Sequence, residues 1–208
     1  MQNKSVSLFL KEKELLDSLF KSARREKIPV IDKETGRFLE IICLLENPKN
    51  ILEIGCGTGF SSYFLIKNLK SGNYTGIDLN KERVRRAEKF IRSRFESGSL
   101  KFLGGSAVEI IRGLKGKFDL VFIDGAKFEY PSYIKSLEGK LEEGALIIAD
   151  NILYKDKVFE EEVSGHDSNS VIGIREYIKY ITEDKRFKSR FFDIGDGISV
   201  TEFHEKSG

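Results

Sequence analysis

Residues 51–62, ILEIGCGTGFSS, decide how this chain folds. Ile51, Leu52 and Ile54 form a short apolar run broken only by Glu53, the pattern of a strand buried on both faces. Gly55, Gly57 and Gly59 follow at once, and a helix opens behind them with FSSYFLIKNLK. The glycines permit a tight turn and let a ligand come close to the backbone.

Downstream the same alternation repeats. NYTGIDL (73–79), LKFLGG (100–105), FDLVFID (118–124) and ALIIAD (145–150) read as buried strands. KERVRRAEKFIRSRF (81–95), VEIIRGLK (108–115) and YPSYIKSLEGKL (130–141) read as the helices between them. Whole-length apolar strands that alternate with helices predict a parallel sheet covered on both faces. Then IREYIKYITED (174–184) predicts a helix, and FKSRFFDIGDGISVTEF (187–203) an antiparallel hairpin around an Asp-Gly turn. Upstream, Leu15, Leu16, Leu19, Phe20 and Ala23 recur at helical spacing and predict an amphipathic helix over about 9–26. IPVID (28–32) is an extended linker, and KETGRFLEIICLLEN a second helix ending at Asn47-Pro48.

The expected fold is therefore α/β and Rossmann-like: a doubly wound, mostly parallel seven-stranded sheet with a C-terminal antiparallel hairpin, helices on both faces and an N-terminal helical extension. All of 1–208 forms one domain. Residues 1–47 are the N-terminal helices, 48–153 the cofactor- and metal-binding core, and 171–208 the C-terminal helix and hairpin. Between them, the polar stretch YKDKVFEEEVSGHDSNS (154–170) is expected to be a mobile loop. Ligands of open α/β sheets bind beyond the carboxyl ends of the strands, where such a loop would be a lid.

Composition narrows the function. A net charge of +2 argues against a general nucleic-acid binder. Cys43 and Cys56 are too few for a disulfide framework, so a reducing, cytoplasmic location is expected. The apolar runs are too short to span a bilayer, the N-terminus lacks a secretory pattern, and no membrane association is expected.

The glycine turn departs from the dinucleotide fingerprint G-x-G-x-x-G, because position 60 is Phe and the third glycine comes one residue early. Glu53 would repel a pyrophosphate. Asp78 ends the second strand, where it can accept hydrogen bonds from both hydroxyls of a ribose. Acids on either side of a glycine turn suit a ligand with a ribose and positive charge but no phosphate, and S-adenosylmethionine is such a ligand. Here the sequence resembles the class I methyltransferases, whose first motif is E/D-x-G-x-G-x-G and whose second ends in an acid. Gly105, Ser106 and Ala107 fall where that fold contacts adenine.

Asp124 closes the fourth strand, and Asp150 and Asn151 the fifth. Neighbouring strands would bring these oxygen donors together, a hard set suited to Mg²⁺, Ca²⁺ or Mn²⁺. Each site alone is equally an ordinary cap; their coincidence on adjacent strands favours a metal. This arrangement resembles the cation-dependent O-methyltransferases, the family of catechol and caffeoyl-coenzyme A O-methyltransferases and their bacterial relatives. The family's D-A-x-K-x-x-Y-x-x-Y block appears as Asp124, Lys127, Tyr130 and Tyr133, and its D-N pair as Asp150 and Asn151. The resemblance departs at Ala126, Ser106, Tyr154 and Asp156, on substrate and cofactor walls rather than at metal ligands.

The resemblance implies that Asp124, Asp150 and Asn151 bind the metal. It makes Lys127 the general base, with a pKa lowered by the adjacent cation. It also implies a cofactor site of Glu53, Gly55, Cys56, Ser61, Asp78 and Ala107, to which Ile31, Gly57, Ser106 and Asp124 are added. The expected activity is S-adenosylmethionine- and divalent-cation-dependent O-methylation of a small catechol-like vicinal diol. The runner-up is methylation of a hydroxyuridine in transfer RNA, for which Lys21, Arg24, Arg25, Lys155 and Lys157 could supply a basic surface. A third reading, a non-catalytic S-adenosylmethionine-binding protein, leaves Lys127 and the metal set without a purpose. The resemblance also implies a homodimer.

Overall fold

The computed structural model describes residues 4–69, 71–95 and 98–206. Two helices, α1 (Lys4–Arg25) and α2 (Lys33–Glu46), precede the sheet. The core follows as β1 (Asn50–Ile54), α3 (Phe60–Ile66), β2 (Asn73–Asp78), α4 (Lys81–Arg92), β3 (Ser99–Gly104), α5 (Ala107–Gly113), β4 (Phe118–Ile123), α6 (Tyr130–Ser136) and β5 (Leu141–Asp150). It closes with α7 (Ser168–Glu183), β6 (Phe187–Phe192) and β7 (Ile198–Phe203). The seven strands lie in the order β3-β2-β1-β4-β5-β7-β6, with β3 to β5 parallel and β7 antiparallel to both β5 and β6.

The central strands β1 and β4 and the second half of β5 are largely apolar because each side of the sheet has its own core. Leu52, Val121 and Ile147 pack with Tyr130, Ile134, Ile174 and Tyr177 of α6 and α7. Ile51, Leu120 and Ile148, their immediate neighbours in the chain, pack on the other face with Leu39, Phe60, Phe64 and Leu65. Alternate residues of a strand point to opposite faces, so a doubly covered strand needs an apolar residue at every position. Within β1 the buried exception is Glu53, which is 0% exposed; Asn50, at the start of the strand, is half-buried. Among the described residues no helix is long and apolar enough to cross a membrane.

Three elements begin earlier than their apolar spacing predicts. α1 starts at Lys4, because its first turns expose Val6, Leu8 and Phe9 and carry no amphipathic signature. β5 starts at Leu141, which pairs with Phe118 across a register irregularity. α7 starts at Ser168, where polar Ser168–Ser170 hide a helix whose first fully buried residue is Val171. The segment 154–170 is consequently more ordered than an open loop. It contains the 3-10 turns Lys157–Phe159 and Gly165–Asp167, and Tyr154 and Lys157 both bind the Asp167 carboxylate.

Candidate active site

The strand order reverses between β1 and β4, so their carboxyl ends diverge into helices on opposite faces and leave a crevice. The glycine turn forms one wall. Gly55, at φ 97°, donates its N–H to the Ile77 carbonyl at 2.7 Å. A Cβ on Gly55 would stand 2.2 Å from the Asp124 carbonyl oxygen, so the close approach of β1 and β4 requires glycine here. Gly57 N–H donates to Asp78 Oδ2 at 3.0 Å and Asn80 N–H to Asp78 Oδ1 at 2.8 Å, which fixes the carboxylate against the turn.

A cavity of about 600 Å³ opens over these strand ends. Ile31, Gly55, Gly57 and Asp78 line it on the glycine-turn side, with Ser106 and Ala107 at the end of β3. Asp124, Lys127, Asp150 and Asn151 line the opposite side. Glu53, Cys56 and Ser61, which the resemblance places in the cofactor site, do not line the cavity. They lie beneath the turn, 0%, 1% and 6% exposed. Glu53 Oε2 accepts hydrogen bonds from Ser62 Oγ at 2.6 Å and from the Tyr74 hydroxyl. Its Oε1 meets no partner of hydrogen-bonding geometry among the described residues, although Ser61 is close enough to pull the carboxyl pKa down. Burial outweighs these donors and the pKa is raised. Cys56 packs against Val84 and Ala87, and burial pushes its thiol up, which makes it a filler and not a nucleophile.

Cavity residues that sequence reasoning passed over include Asp32, Leu79 and Phe128. Leu79 and Phe128 are 78% and 58% exposed, apolar side chains left open on a ligand cavity. Their only signal in sequence is position: each directly follows a residue already singled out, as Asp32 follows Ile31.

Ile123 pairs with Ala149, so Asp124 and Asp150 are the next residues off two adjacent parallel strands. Asp150 is 2% exposed. Burial first, and then the charge of Asp124, push its carboxyl up to about 7, against smaller opposing effects of Lys127 and the Asn151 N–H. Asn151, at φ 56°, turns the chain back over the cavity and donates its N–H to Asp150 Oδ1 at 2.8 Å. The Tyr130 hydroxyl donates to the Asp150 carbonyl at 2.9 Å, tying α6 to the same corner.

Lys127 Nζ lies 2.8 Å from Asp124 Oδ1 and 5.2 Å from the centre of the Tyr130 ring. Burial alone would lower its pKa; Tyr130 and the charge of Asp124 outweigh that, and the net direction is upward. That upward direction belongs to the side chain with Tyr130 and Asp124 as its partners; the lowered pKa expected of Lys127 is one beside a bound cation.

Among the described residues no three His, Cys, Asp or Glu side chains form a metal-ligand cluster. The donor set is instead two carboxylates and a carboxamide. It fits a hard divalent cation: a buried carboxylate held up in pKa by its neighbour has a charge conflict that a cation removes.

Fold, glycine turn and acid pair together define an S-adenosylmethionine-dependent methyltransferase of class I. Comparison with known proteins gives the family. The O-methyltransferase family model matches residues 3–202, and the chain belongs to that family. An Arabidopsis thaliana protein provisionally named a caffeoyl-CoA O-methyltransferase is 28% identical, the match covering 94% of this chain and 88% of that one. Two crystal structures share the fold. The O-methyltransferase from Bacillus cereus in complex with SAH superposes with a TM-score of 0.79 at 22% identity, covering 90% of each chain. TomG from Streptomyces achromogenes, involved in tomaymycin synthesis and in complex with SAM, gives 0.81 at 20% identity, covering 98% of this chain and 99% of that one.

Proposed function

We propose that this enzyme transfers the methyl group of S-adenosylmethionine to one hydroxyl of a small vicinal diol of the catechol type, with the help of a divalent cation. The observation that carries this reading is the pairing of Asp124 and Asp150 off adjacent strand ends, with Lys127 Nζ on Asp124. Asp124, Asp150 and the Asn151 carboxamide would hold the cation, which when bound acidifies and orients a chelating diol.

The protein's own groups supply the rest. Asp78, fixed by Gly57 and Asn80, faces the cavity as an acceptor for ribose hydroxyls. Ser106 and Ala107 border the cavity beside it, at the end of β3, where an adenine would lie. Leu79 and Phe128 give apolar walls that displace water from bound rings. Lys127 Nζ, the basic nitrogen next to the acid pair, receives the phenolic proton. Once Asp124 is engaged by another cation, the lysine loses an interaction that raises its pKa, and the unprotonated amine that can accept the proton becomes more populated. As the acceptor oxygen bonds to the methyl carbon, the carbon–sulfur bond breaks and the thioether product carries off the electron pair. Most of the acceleration then comes from alignment of two bound reactants.

The test is transfer of labelled methyl from S-adenosylmethionine to a dihydroxybenzoic acid, with Mg²⁺ and with EDTA. Turnover should vanish on chelation and return with Mg²⁺. Full turnover in protein shown to be metal-free would remove the cation from the reaction. Activity on transfer RNA but on no small diol would replace the acceptor class.

A further inference from the structure

Gly173 sits in the interior of α7, where glycine is a poor helix former, and it is buried. A Cβ built there would stand 2.6 Å from the Lys127 carbonyl oxygen, 2.6 Å from Phe128 Cα and 3.0 Å from the Phe128 carbonyl carbon. These are all backbone atoms, and none can swing aside as a side-chain tip can. The 3-10 turn Lys127–Glu129 thus lies directly on bare helix backbone. The same Lys127 carbonyl accepts the Tyr130 N–H that ends the turn.

We propose that Gly173 is a positioning residue for Lys127: its missing side chain seats the turn and so sets where Nζ stands. This rests on the reading of Lys127 as proton acceptor. The helix is held firmly on its other contacts. Ile174 and Tyr177 are fully buried, and the Arg175 guanidinium binds the carbonyls of Val158 and Glu160. The turn has open space on its far side, because Lys127, Phe128 and Glu129 all line the cavity. An added methyl at position 173 therefore shifts the turn towards the cavity and moves Lys127 Nζ from its place beside Asp124. A misplacement of roughly 1 Å in such an arrangement costs about 10²-fold in rate.

The experiment compares Gly173→Ala with the wild type on two acceptors, catechol and 4-nitrocatechol, at slightly alkaline pH with saturating Mg²⁺. The nitro group acidifies the reacting hydroxyl, so nitrocatechol ionises without a base. Gly173→Ala should lower kcat for catechol on the order of 10²-fold and for nitrocatechol only a few-fold, with KM for S-adenosylmethionine unchanged. Gly113→Ala, whose Cβ would meet nothing within 4 Å, should change neither rate. Equal losses on both acceptors, or none, would overturn the proposal. Should Gly173→Ala fail to fold, Phe128→Gly frees the backbone of the turn itself; because Phe128 also walls the cavity, kcat at saturating acceptor is compared, and it should show the same dependence on acceptor. Amide hydrogen exchange gives a readout independent of turnover: the Tyr130 N–H should exchange faster in Gly173→Ala than in the wild type. Inactivity of the wild type on both diols alongside that faster exchange would reject the proposed acceptor and keep the seat. Unchanged exchange would reject the seat.

Discussion

Glu53 is a carboxylate in a place where burial opposes its charge, and Tyr74 and Ser62 are its hydrogen-bond donors on Oε2. The Tyr74 hydroxyl oxygen also lies 2.8 Å from Ser62 Oγ, so three side chains from β1, β2 and α3 close one buried polar knot directly under the glycine turn. A buried acceptor that loses a donor keeps its desolvation cost, typically about 1–3 kcal/mol. Tyr74→Phe should therefore destabilise the fold by about that much in denaturant titration, with an unchanged slope of free energy against denaturant. An unaltered midpoint would mean that water or Ser61 replaces the phenol. This knot also explains why Glu53 and Ser61, which the resemblance assigns to the cofactor site, do not line the cavity. Motif spacing shows that Glu53 and Ser61 belong to the turn. It does not show which side of the turn they face, and that is decided by Tyr74, a partner from β2 that no local pattern connects to Glu53.

At the scale of elements, the crevice depends on how closely β4 passes β1. Gly55→Ala would combine a positive φ with a Cβ against the Asp124 carbonyl oxygen. The backbone penalty alone is roughly 1–2 kcal/mol, and displacement of Asp124 adds to it. A loss above about 2 kcal/mol is expected. Gly113→Ala, in open space at the end of α5, should instead hold stability or raise it by about 0.5–1 kcal/mol. Denaturation midpoints of the two variants that moved alike would contradict the packing described here. Elements of this kind were the readable part of the chain. Leu120–Ile123 and Ala145–Ala149 are continuous apolar runs, and Ile51–Ile54 is one broken only by Glu53, because helices cover both faces, and that signal survives in one sequence. The first turns of α1 and α7 were not readable, since exposed Leu8 and Phe9 and polar Ser168–Ser170 break the amphipathic period. Nor does any sequence rule pair Gly173 with Lys127, because their contact is made of backbone and leaves no side-chain pattern.

For the molecule as a whole, the acid pair couples stability to pH and to cations. Asp150 and Glu53 both have carboxyl pKa values raised by burial. Between the ordinary carboxylate range and the raised value, the folded protein binds protons that the unfolded chain has released, so stability falls as pH rises. For Asp150 that window runs from its usual 3.8 to about 7. Lys127 acts elsewhere: its raised pKa contributes stability that is lost only above the ordinary lysine range. The metal-free protein should thus melt at progressively lower temperature from pH 4 to pH 7. Asp150→Asn keeps the shape and removes the charge, so above pH 7 it should be more stable than the metal-free wild type by a few kcal/mol. Below pH 4, where Asp150 is protonated in both states, that advantage should disappear. Mg²⁺ should reverse the ordering by binding the folded wild type alone, with a gain that grows with its concentration over Kd. Thermal melts of both proteins across this range, with Mg²⁺ and with EDTA, decide the matter. A wild type that Mg²⁺ stabilises at no pH would show that Asp150 holds a proton there and not a share of a metal. In that case the raised pKa of Asp150 would be the resting chemistry of the site, and Lys127 with Asp124 would have to activate the acceptor unaided.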